Sequence, residues 1–158
     1  MTRDVRERGG LPAADQKFLA NIETHGWAVT KVFRSEGEAG PEFAYSTGLF
    51  HGYKHPEIVV FGLDLGIMHQ IINNIGNAVK NAAQFKPGIE YHEIFARCGC
   101  QFRVVASVNY KPYLGWAIWF YESYEFPVLQ CFWPDRDRHY PWERACSPGV
   151  AALQPLLF

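Results

Sequence analysis

The sequence predicts an α+β fold: a mainly antiparallel sheet of about five or six strands, with two or three helices packed on one face. Three observations carry this. Apolar residues recur at helical spacing from Leu65 to Val79. Short runs rich in β-branched and aromatic residues lie on both sides of that stretch. These runs come in hairpin-like groups, not in strict strand–helix alternation. A partly closed barrel also fits this order.

The elements follow in sequence. Residues 1–12 read as a flexible arm, broken by Gly9-Gly10 and Pro12. A single α+β domain is expected over 13–146 and a tail over 147–158. A first helix spans about Ala14 to Thr24, with Phe18, Leu19 and Ile22 on one face and Gly26 as its stop. Trp27 to Phe33 alternates as a strand, and Phe43 to Leu49 reads as a second after a Gly- and Glu-rich loop. Ile58 to Leu63 is a continuous apolar run, which predicts a central strand buried on both faces.

Asp64 is an N-cap residue type placed directly before the main helix, which should run to near Phe85. Glu90 to Phe95 and Phe102 to Val108 read as strands joined by a turn at Arg97-Cys98-Gly99. Tyr113 to Tyr121 carries both signals and is assigned to helix on the spacing of Leu114, Ile118 and Tyr121. Val128 to Trp133 is the last strand.

Composition narrows the class. The chain has 158 residues, which matches one domain large enough to fold without a disulfide or metal. Lys plus Arg number 15 against 16 Asp plus Glu, a balance that argues against a nucleic-acid binder. The N-terminus mixes both charge signs and lacks an apolar segment of the secretory kind. The apolar run from Ile58 to Met68 is interrupted by Asp64 and too short to span a bilayer. A cytoplasmic protein with no membrane partner is therefore expected, and Cys98, Cys100, Cys131 and Cys146 read as reduced thiols. Aromatic residues make up 16% of the chain, enough to fill a core or to line a site.

Two segments carry candidate chemistry. In the first, Tyr45 and Thr47 share one face of a strand, so their hydroxyls can converge on one ligand. His55 and Glu57 flank Pro56 just before the buried strand, and a neighbouring His and carboxylate can serve as acid and base. The competing reading is that Pro56 sets the start of the strand and Glu57 caps local backbone. The second segment is Gln130 to Asp135, followed by Tyr140-Pro141-Trp142. It reads as a stiff aromatic hook that stacks on a planar ligand or grips a partner, or as a clamp over the end of the sheet. The Asp135 to Arg138 stretch reads as a solvated turn of balanced charge.

Other chemistries lack their signatures. Cys98-Gly99-Cys100 is a lone pair of thiols where a structural zinc site needs two pairs, so no metal ligands are assigned. The chain has no G-x-S-x-G elbow, no phosphate-binding G-x-x-x-x-G-K-[ST] loop and no G-x-G-x-x-G after a strand. No pattern singles out a flavin phosphate, and the cofactor is left unknown.

An ordered set of motifs resembles a known family. His25-Gly26-Trp27, Phe43 to Leu49, His55-Pro56-Glu57, Gln130 to Asp135 and Pro141-Trp142 together resemble a family of small bacterial proteins, domain of unknown function number 4262. The resemblance covers roughly Gly26 to Trp142. The family pattern favours Thr at the position of Ser46 and Gly at that of Arg138. It implies that both candidate segments belong to the shared pattern and carries no activity to transfer.

Two functional expectations follow. One is a domain that binds a small molecule or peptide in an aromatic-lined pocket, with acid/base catalysis by His55, Glu57 and Tyr45. Thr47, Gln130, Trp133, Asp135 and Trp142 would then hold the ligand. The other is a non-catalytic protein-interaction factor, such as an immunity or accessory protein of a bacterial conflict or biosynthetic system, with Trp133, Tyr140 and Trp142 as anchors.

Overall fold

The computed structural model describes residues 10–158. Most of the predicted N-terminal arm, residues 1–9, lies outside the described residues. The chain runs α1 (Ala13–His25), β1 (Ala28–Val32), β2 (Phe43–Thr47), α2 (Leu49–Tyr53), β3 (Glu57–Phe61) and α3 (Leu65–Lys80). It continues with β4 (Glu90–Tyr91), β5 (Cys100–Val104), α4 (Tyr110–Tyr113), α5 (Gly115–Tyr121), β6 (Val128–Phe132) and α6 (Pro148–Leu153). Among the described residues the strands form one six-stranded sheet in the order β1-β2-β3-β6-β5-β4. Its strand pairs are antiparallel except β3 with β6, which run parallel at the centre. The fold is α+β.

The central strands explain the pattern. Every residue of β2, β3 and β6 is buried, because helices cover both faces of the sheet. This corrects the expectation of helices on one face. On one side α3 sets Met68, Ile71, Ile72, Ile75 and Val79 against Ala44, Ile58, Val60 and Cys131. On the other, Phe18, Leu19 and Ile22 of α1 and Ala117, Phe120 and Tyr121 of α5 pack on Phe43, Tyr45, Val59 and Phe61. A strand with a helix layer above and below carries apolar residues on both faces, which is why Ile58 to Phe61 shows no alternation.

Several elements depart from their predicted lengths; β2 ends at Thr47, and Leu49, expected in that strand, opens α2. Helix α3 begins as expected, with Asp64 Oδ1 accepting from the N–H groups of Gly66 and Ile67. It stops at Lys80, because Ala82 takes a left-handed φ of 74° that ends the helical path. The strand predicted over 90–95 is reduced to Glu90–Tyr91. The strand predicted over 102–108 begins earlier and ends at Val104. There the Ala106 N–H turns to the Leu157 carbonyl at 2.7 Å and leaves the sheet.

Candidate functional site

Glu57 begins β3 and is completely enclosed. Its Oε1 accepts from Ser46 Oγ at 2.7 Å and from the Leu49 N–H at 3.2 Å. Its Oε2 accepts from the N–H groups of Gly48 at 2.9 Å and Phe50 at 3.3 Å, and from the Tyr121 hydroxyl. The three amides are the free donors at the start of α2, so a carboxylate from the next strand caps that helix. Ser46 Oγ also accepts from the Ile58 N–H at 2.9 Å, replacing a backbone ladder bond where β2 leaves β3. Burial pushes the Glu57 carboxyl above the usual carboxylate range, and the bonds from Tyr121, Ser46, Gly48 and Phe50 oppose that shift. Burial and the adjacent Glu57 push the Tyr121 hydroxyl upward as well, so Tyr121 keeps its proton and donates.

Gly48 makes this junction close. Its φ is 119°, and a Cβ there would stand 2.6 Å from the Gly26 carbonyl oxygen. Only glycine fits both the backbone angle and the space.

His55 lies on a different set of partners. Its Nε2 accepts from the Phe85 N–H at 3.0 Å, which leaves Nδ1 to donate to the Pro56 carbonyl at 2.8 Å. The ring is thereby neutral, with both nitrogens engaged. Burial lowers its pKa, and the bond to Pro56 opposes this. His55 also lines an open cleft of about 530 Å³ with Lys54, Phe85, Lys86, Pro127 and Leu129. His55 and Glu57 share no hydrogen-bond partner, so the structure does not join them as an acid/base pair.

The remaining predicted residues are dispersed. Tyr45 is buried in the core, where its hydroxyl accepts from the Trp116 N–H at 2.9 Å. Burial pushes its pKa up to about 12. Thr47 is fully buried and its Oγ1 has no partner among the described residues. Gln130 Nε2 donates to the Pro155 carbonyl at 2.7 Å, while its Oε1 has no partner among the described residues. Trp133 donates its indole N–H to the Phe61 carbonyl at 2.8 Å. Trp142 stacks on Tyr140 with ring centroids 5.1 Å apart and packs edge-on against Phe132. The Arg103 guanidinium lies 4.4 Å over Trp142 and 4.2 Å over Phe158. Tyr45, Trp133 and the Tyr140–Trp142 stack therefore line no common wall.

Asp135 organises a turn. Its Oδ1 accepts from the N–H groups of Asp137 at 3.0 Å and His139 at 2.9 Å, and its Oδ2 from that of Ser147 at 2.8 Å. The His139 and Ser147 bonds hold its carboxyl below the usual range. Arg138, within this turn, has a φ of 68°. That left-handed angle suits glycine, which is the residue the resembled pattern favours there.

The turn forms one wall of an open cleft of about 630 Å³. The segment 95–99 and the side chains of Glu90 and His92 form the other. Arg97, Arg136 and Arg138 line it, with Phe95, Cys98 and Pro134. None of these three guanidiniums makes a hydrogen bond or ion pair among the described residues. The two acids of the lining, Glu90 and Asp135, are engaged. Glu90 Oε2 accepts from the Tyr140 hydroxyl at 2.8 Å, and Glu90 Oε1 lies 3.1 Å from His92 Nε2. The sequence places Arg136 and Arg138 in one turn and Arg97 in another without joining them, because residues 97 and 136–138 meet only through the β5–β6 pairing. Among the described residues no group of three or more His, Cys, Asp or Glu is placed to hold a metal, and no helix is long and apolar enough to cross a membrane.

The family model for domain of unknown function DUF4262 matches residues 21–147. The chain belongs to this family. No curated protein and no solved structure matches the sequence. The DUF4262 match takes in the Glu57 junction, the His55 ring and both walls of the cleft, and it ends at Ser147, just before α6.

Proposed function

We propose that this DUF4262 chain is a binding domain for a small molecule or peptide, with its site in the 630 Å³ cleft between segment 90–99 and the turn at 134–138. One observation carries this reading. Arg97, Arg136 and Arg138 line a concave surface with no partner for their guanidiniums among the described residues, while the two acids of the lining, Glu90 and Asp135, are engaged by other groups. Ligand sites combine such leftover polar groups with apolar lining, and the volume falls within the roughly 300–1,000 Å³ common for small ligands. In this reading His55, Glu57 and Tyr45 support the framework and take no part in turnover. Ala96, exposed on the cleft lining, offers a position to fill it. Native mass spectrometry of freshly purified protein is expected to show a retained molecule, and Ala96→Trp is expected to lose it. Retention by Ala96→Trp would place the ligand elsewhere.

A protein-interaction role is a second reading, favoured by the outer strand β1. Phe33, just beyond it, is 67% exposed. That reading predicts a complex lost on Phe33→Ser and indifferent to Ala96→Trp.

A further inference from the structure

We infer that the cleft takes a phosphate-bearing small molecule, gripped by Arg97, Arg136 and Arg138. The inference rests on the cleft reading above and names the chemistry of its ligand.

Unpartnered donors are the first support, since the lining sets three arginines beside the carboxylates of Glu90 and Asp135. Asp135 spends both oxygens on backbone N–H groups of its own turn and of Ser147. Glu90 spends its oxygens on Tyr140 and His92. Arg97, Arg136 and Arg138 are exposed, and their guanidiniums are left as donors without a partner among the described residues. A guanidinium without a partner presents five N–H groups, and oxyanions are the acceptors that match them.

The arrangement favours phosphate over carboxylate. Arg97 stands on one wall, and Arg136 and Arg138 on the other. A planar carboxylate is satisfied by a single forked arginine. A phosphate monoester carries up to two charges and three peripheral oxygens, so it accepts from several directions at once. The cleft is much larger than a bare phosphate. Phe95 and Pro134 provide apolar lining for an organic body. The ligand is therefore an organic phosphate and not the free ion.

Arg138 is the second support. Its backbone sits in the left-handed region at φ 68°, where an arginine is strained and a glycine is not. The turn is pinned independently of the side chain, by the Asp135 bonds and by the Arg138 N–H donating to the Asp135 carbonyl at 3.0 Å. The side chain thus adds nothing to the turn and is held on a fixed loop at the rim of the cleft.

The test is isothermal titration of the full chain with phenyl phosphate at low salt, and with succinate as a dicarboxylate control. Phenyl phosphate should bind, and succinate should bind at least tenfold more weakly. Arg97→Ala and Arg136→Ala should each weaken phenyl phosphate by about tenfold, the effect of losing one charge-assisted contact. Arg138→Gly should weaken it similarly while raising the melting temperature, a combination that a structural role for the side chain would not produce. The inference is overturned if phenyl phosphate fails to bind, if succinate binds as well, or if Arg138→Gly binds like wild type. A neutral molecule retained by wild type and lost in Ala96→Trp would also overturn it, while leaving the cleft reading intact.

Discussion

His55, a residue of catalytic type, has both ring nitrogens engaged by backbone. The fold needs its ring neutral, one nitrogen accepting from Phe85 and the other donating to Pro56. Replacing it with alanine leaves the buried Phe85 N–H without an acceptor. His55→Ala is expected to lower the unfolding free energy by about 1–3 kcal/mol in urea titration, the cost of a stranded buried group. The pH dependence has a definite sign. The folded ring binds its proton only below the ordinary histidine value, whereas the unfolded chain binds it at that value. Stability from this residue is present above the ordinary value and falls as pH drops through the window below it. The decline in melting temperature from pH 7 toward pH 5 should be shallower in His55→Ala. An unchanged profile would show that another group sets it.

Among the elements, α3 is where local preference and packing oppose each other. Gly76 sits inside the helix, where alanine is favoured by about 1 kcal/mol. A Cβ at Gly76 would lie 2.5 Å from Trp27 Cε2, and the Trp27 indole is fixed by its bond to Asn73 Oδ1 at 3.0 Å. Gly76→Ala is therefore expected to destabilise by about 1–3 kcal/mol despite its helix preference, as overpacked cores do. Equilibrium denaturation decides the sign. The same element shows what the sequence makes legible. Its apolar spacing and the Asp64 cap are local, and both were readable. Its end was not, because the left-handed turn at Ala82 has no glycine to announce it. Strand β4 was overestimated because the segment after Tyr91 carries strand-forming residues but finds no ladder partner there. The Glu57 junction is half legible: its place beside Pro56 suggests a local capping role, but Tyr121 reaches it from a different part of the chain. The arginine cleft was invisible for the same reason.

Over the whole molecule, the sheet separates two apolar cores, and the C-terminal segment locks onto its far end. Gln154 is buried, accepts from the Trp133 N–H at 3.0 Å and donates to the Trp133 carbonyl at 2.8 Å. Its amide thus completes both backbone bonds of the residue that follows β6, as a neighbouring strand would. Pro155 caps Gln130 beside it, and Leu157 accepts from Ala106 and Asn109. Gln154→Ala strands both Trp133 backbone groups and is expected to cost about 1–3 kcal/mol. It should also alter near-ultraviolet dichroism from Trp133 and Trp142. A silent substitution would mean that solvent replaces the amide at no loss.

The parallel contact at the centre of the sheet also governs the order of assembly. Glu57 pairs with Val128 across nearly half the length of the chain. A contact so distant in sequence stabilises nothing until the entropy of closing the intervening loop has been overcome, and such topologies fold slowly. During synthesis β3 emerges with β2 along one edge and nothing along the other. That second edge, apolar on both faces, stays open until β6 leaves the ribosome. In this interval the chain is most prone to join a second copy of itself edge to edge.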